Sequence, residues 1–147
     1  MFETIEILEL LGKIGATMNY RGYPMLLSIL QIVDPASMTH FRITKDLYPV
    51  AAKLYDTNVR NVEHDLRHLF NHCWKYGDPE TLRAICGEGR TRCPSNAEFI
   101  ALLAAYLYRR RLRKADRAGI KAAGRATGQR DGPAATASST SIKNPGR

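Results

Sequence analysis

Apolar residues recur along this chain at steps of three and four, the period of a helix with one buried face. The breaks between runs fall at glycine, proline and small polar residues. The first run predicts a helix over 3 to 13 that buries Ile5, Leu8, Leu11 and Ile14 and ends at Gly15. After a loop over 16 to 22, Pro24 suits the first turn of a second helix reaching Val33, and Asp34-Pro35 breaks it. A third helix starts near Thr44, a candidate cap. Pro49 lies inside it, so a leading turn followed by the helix proper is expected. Thr57 or Asn58 caps a fourth helix that Gly77 ends, and Asp78-Pro79 opens a short fifth helix through Cys86. Gly87-Glu88-Gly89 is a loop. Ser95 and Glu98 have capping-box spacing, so the last helix begins at Asn96. It runs apolar through Leu107 and then reads YRRRLRK. The fold class is all-α, a compact bundle of about six helices.

The third and fourth helices stand out. ITKDLYPVAAKLY, residues 43 to 55, leads across a short turn into YDTNVRNVEHDLRHLFNHCWKY, residues 55 to 76. Val59, Val62, Leu66, Leu69, Phe70 and Cys73 line one side of the second segment, while Arg60, Asn61, His64, Arg67, His68 and Asn71 collect on the other. Two tightly joined helices, the second polar and basic outside, are the pattern of a DNA-binding helix-turn-helix. An ordinary helical hairpin with a solvated face has the same periodicity, and pattern alone does not separate the two.

Four segments separate them. LGKIGATMNYRGY, ITKDLYPVAAKLYDT, NVEHDLRHLFNHCW and SNAEFIALLA, in this order and spacing, resemble the C-terminal effector domain of the sporulation-initiation response regulator of endospore-forming Firmicutes. The resemblance runs from about residue 5 to residue 107. It implies an all-helical DNA-binding transcription factor of a kind normally governed by a phosphorylated receiver domain. No α/β segment with an acidic pocket precedes Ile5, so a regulator without its own phosphorylation switch is expected.

Carried over residue by residue, Glu63, Arg67 and His68 stand where the family has the same residues, and Val62 and Leu66 keep the buried stripe. The family commonly has arginines at the positions of Asn61 and His64. Arg60 replaces a small polar residue, Asp65 a small apolar one, and Leu54 a lysine beside the retained Lys53. An arginine grips a guanine edge with two hydrogen bonds, whereas a neutral histidine makes one at most. The departures keep the fold but loosen the family's base preference. The expected DNA contacts are therefore Lys45, Lys53, Arg60, Asn61, Glu63, His64, Arg67 and His68, with the two lysines on the backbone. Family members bind short DNA boxes, often as paired protomers, so double-stranded DNA and a homodimer on it are the expected partners. The alternative is a protein-interaction module that pairs with a full-length related regulator as a heteromer.

Charge changes this picture in one respect. The chain of 147 residues carries a net +8, yet residues 109 to 147 hold 11 Lys and Arg against 2 Asp, while residues 1 to 108 sum to −1. The basicity belongs to the end of the chain, and a basic pI says nothing about the helical body. Residues 1 to 114 are expected to be the folded domain, and residues 115 to 147, poor in large apolar side chains, a basic disordered tail. The segment around 109 to 117 suits either non-specific contact with nucleic acid or a solvated tail that aids solubility.

Other chemistries find little support. His64, His68 and His72 lie one helical turn apart, as zinc ligands can, but Cys73 belongs to the apolar stripe and no carboxylate sits at matching spacing. No metal or cofactor is expected. Three cysteines without a CxxC pair argue against a disulfide framework; a reactive thiol at Cys86 or Cys93 is the weaker reading. With no phosphate-cradling glycine loop and no catalytic set, the chain is not expected to be an enzyme. The acidic start, with Glu3, Glu6 and Glu9, does not read as a secretory signal, and no apolar run is long enough for a membrane span. A cytoplasmic location is expected.

Overall fold

The computed structural model describes residues 2–33 and 43–126, with side chains as far as 119. It separates into two units, Met1–Arg109 and Arg110–Arg147. Among the described residues there are six α-helices and no strand: α1 (Thr4–Lys13), α2 (Gly22–Ile32), α3 (Tyr48–Leu54), α4 (Val59–Tyr76), α5 (Pro79–Cys86) and α6 (Asn96–Ala126). The all-α bundle expected from the periodicity is the fold observed.

Local chemistry sets most of the boundaries. Pro49 has no N–H to return to the carbonyl one turn back, and the chain enters α3 through a π-helical turn, Ile43–Leu47. This is the leading turn the sequence predicts. Asn58 caps α4, its side chain accepting from the Asn61 N–H at 2.9 Å. Asp78 caps α5 through the Thr81 N–H and hydroxyl, at 3.0 and 2.6 Å. These two bonds hold the Asp78 carboxyl below its usual pKa. Ser95 caps α6 by accepting from the Glu98 N–H at 3.2 Å, but the Glu98 carboxylate turns to Arg90 at 2.9 Å instead of closing the box. The Asp34-Pro35 break lies outside the described residues.

Helix α1 is rotated from its expected setting. Ile7, Leu10, Leu11 and Ile14 are buried, whereas Ile5 is 59% and Leu8 37% exposed. Successive steps of three drift backwards around a 3.6-residue helix, so Ile5 and Ile14 lie on opposite sides; steps of three and four from Ile7 stay on one. Helix α2 begins at Gly22, ahead of Pro24, because Tyr23 N–H already bonds the Tyr20 carbonyl at 3.0 Å.

Helix α4 belongs to the first unit. It packs on α2 and α3 while α1 packs on α2, and Val62, Leu66, Leu69, Phe70 and Cys73 are all buried. Phe70 stacks on Phe99 of α6 at 4.4 Å between ring centroids. Burial pushes the Cys73 thiol up to about 12, and it raises Cys86 and Cys93 as well. None of the three therefore has the depressed pKa of a reactive thiol.

In the second unit α6 continues past Lys114 to Ala126, beyond the point where the sequence reading ended order. Alanine, arginine and lysine are among the best helix formers, so this stretch is helical without a core to bury. Residues 127 to 147 lie outside the described residues.

Two glycines matter for the space they leave. A methyl group on Gly22 would fall 2.5 Å from the Asp65 carbonyl oxygen, and one on Gly77 2.3 Å from that of Ile14. Gly77 ends α4 because α1 passes too close for a side chain, at a φ of −71° that any residue adopts. Gly77→Ala is expected to cost about 1–3 kcal/mol through overpacking, a fall of several degrees in Tm. Gly12→Ala, on α1 with open space around it, is expected to gain about 0.5–1 kcal/mol. Thermal melts of the two variants check both signs.

Candidate nucleic-acid interface

The turn from α3 to α4 is closed by its own backbone. Tyr55 N–H bonds the Ala51 carbonyl at 3.1 Å, Asp56 N–H that of Lys53 at 3.3 Å, and Thr57 N–H that of Ala52 at 2.8 Å. Asp56 takes a left-handed φ of 52° to make the reversal, a conformation that aspartate tolerates better than most residues. The Tyr55 hydroxyl reaches back to α2, bonding Ser28 Oγ at 2.7 Å and the Pro24 carbonyl at 2.9 Å. Thr57 accepts from the Asn61 side-chain amide at 2.9 Å. The start of α4 is thereby tied to α3, and the turn to α2.

The eight candidate residues fall into two groups. Lys45 on the π-helical turn and Lys53 in the last turn of α3 are exposed, as are Arg60, His64 and His68 along α4. The last three follow one another at four-residue steps, and the His64 and His68 rings lie 4.4 Å apart. Asn61 is also exposed, its amide held by Thr57. Exposed Glu63 and half-buried Arg67 are instead bonded to the start of α6 and the loop before it. The Asn96 amide nitrogen donates to the Glu63 main-chain carbonyl at 2.7 Å and also to the Glu63 carboxylate. Half-buried Arg67 donates to the Pro94 carbonyl at 3.3 Å and lies 3.8 Å from Cys93 Sγ. The expected polar face is therefore divided: its Arg67 side turns to the loop before α6.

Sequence reasoning missed Asn96 and Tyr48. Asn96 looked like an ordinary first residue of a helix, yet it is 1% exposed; no spacing rule signals a contact with Glu63, 33 residues away. Among the described residues the buried Tyr48 hydroxyl and Asn96 carboxamide oxygen find no hydrogen-bond partner of ordinary geometry. Burial, and next the charge of Glu63, push the Tyr48 phenol far above its usual pKa. His72 turns away from the other two histidines, with Nδ1 3.1 Å from the Tyr20 hydroxyl. Among the described residues no group of three His, Cys, Asp or Glu side chains is placed to hold a metal ion.

Residues 7–107 match the family described as Sporulation initiation factor Spo0A C terminal. The chain belongs to this family. The match covers well over half of the chain and contains the whole α3–turn–α4 unit with its tethers to α2 and α6. The first unit is thus a DNA-binding effector domain of the sporulation regulator family, which is a family of effector domains and not of enzymes. No helix among the described residues is long and apolar enough to cross a membrane.

The division of the α4 face gives opposite expectations for its two arginines. Arg67→Ala removes bonds from a charged donor to the α6 approach and is expected to cost about 1.5 kcal/mol or more in stability. Arg60→Ala, exposed and without such bonds, is expected to stay within about 0.5 kcal/mol of the parent. Urea titrations of both variants without DNA measure the difference.

Proposed function

We propose that the chain is a transcriptional regulator that inserts α4 into the major groove of DNA, with α3 as the supporting helix. Arg60, Asn61, His64 and His68 meet base edges and phosphates, and Lys45 and Lys53 meet the backbone. Glu63 and Arg67 act by holding α4 against Asn96 and Pro94. The observation that carries the reading is the exposed row of Arg60, His64 and His68 on a helix whose start is locked to the preceding one. A rigid element lets a few side chains discriminate bases, because little ordering is left to be done on binding. As in the family, two protomers side by side on one box are part of the proposal.

One observation favours a second reading. Residues 1 to 108 carry a net −1, and Arg67 is drawn inward, so the body attracts DNA weakly compared with a strongly basic domain. A module that pairs with a related regulator would tolerate that.

His64 separates the two. His64→Arg restores the residue the family commonly has, and it should strengthen binding to the family's guanine-containing box by about 1–3 kcal/mol, the worth of one two-bond guanine contact. Binding to a scrambled duplex should change little, since one added phosphate contact carries no sequence information. Both duplexes would be titrated at one fixed salt concentration. Equal effects on box and control would favour the interaction module.

A further inference from the structure

Resting on the DNA-reading proposal above, we propose that Asn61 recognises an adenine in the major groove, and that Thr57 sets the Asn61 carboxamide in the orientation this requires. Asn61 stands in the first turn of α4, exposed, where a groove-entering helix meets base edges. Its main-chain N–H is spent on the Asn58 cap and its side chain is bonded to Thr57 Oγ1 at 2.9 Å. Thr57 is itself fixed, half-buried, by its N–H bond to the Ala52 carbonyl at 2.8 Å. The bond favours one orientation of the carboxamide over the others an unanchored side chain would take.

A primary amide has two N–H donors and an oxygen with two lone pairs. One bond to Thr57 leaves at least one donor and one acceptor free, whichever end of the amide the threonine takes. Adenine presents one of each, the N7 acceptor and the N6 amino donor, and an asparagine amide satisfies both together. Guanine presents two acceptors on the same edge, so an amide oxygen would face the guanine O6 with no proton between them. Where the family commonly has arginine, suited to guanine, this chain holds an amide suited to adenine. Arg60, next to it, is a long side chain that can follow a phosphate or a base; the anchored amide pairs both its free groups only at a donor–acceptor edge.

The test uses the intact chain and binding selection from a random duplex library at physiological salt. The parent is expected to select a consensus with adenine over guanine by about tenfold or more at one position. Asn61→Ala should lose the preference there and keep it elsewhere. Thr57→Val should weaken the adenine preference, and Thr57→Ser, which keeps the oxygen, should restore it. Replacing that adenine by 7-deazaadenine removes the N7 acceptor; it should weaken the parent and add nothing to the loss in Asn61→Ala, in variants that melt as the parent does. A consensus that Asn61→Ala leaves unchanged at every position would overturn the inference while leaving DNA reading by α4 intact. No consensus for the parent would overturn both.

Discussion

Helix α4 passes its neighbours at two places with no room for a methyl group, against α2 at Gly22 and against the end of α1 at Gly77. Much of the rest depends on that closeness. The carbonyl of Asp65 rests on α2, which puts the acidic residue introduced beside His64 half inside the protein. The apolar stripe from Val62 to Cys73 then faces the core, and Arg60, His64 and His68 on the same helix are exposed. Packing on both sides of the first turn, through Tyr55 to α2 and Thr57 to α3, leaves the outward residues on a support that does not need to reorganise when it binds.

The same geometry gives the polar residues of α4 two roles. Glu63 and Arg67 point along the flank of α4 toward the start of α6, where Asn96 and Pro94 receive them. Buried polar groups are costly unless paired, so removing one partner here would disturb the angle at which α4 is presented. Among the described residues His64 and His68 have no such tie to another helix. A substitution there alters what the surface offers without altering how it is held.

Much of this was legible in the sequence because it depends on neighbours a few residues apart. The starts of α4, α5 and α6 follow from Asn58, Asp78 and Ser95, each accepting from an N–H three residues on. The leading turn before α3 follows from Pro49. What was not legible depends on helical phase and on distant partners. Ile5 and Leu8 are as apolar as Ile7 and Leu10, and a run of three-residue steps conceals that only the latter pair shares a face with Leu11 and Ile14. The contacts of Glu63 with Asn96 and of Arg67 with Pro94 link segments that helical periodicity treats separately. Helix α6 outran its expected end because alanine, arginine and lysine suit a solvated helix as well as a coil.

On this proposal α4, and not the basic end of the chain, is the element that meets DNA. Titrating the intact, isotope-labelled protein with a duplex bearing the family's box, and following backbone amide resonances, addresses this directly. The largest shifts should fall between Thr57 and His68, with smaller ones at Lys45 and Lys53. Shifts confined to residues 109 to 147, with residues 57 to 68 unmoved, would contradict it.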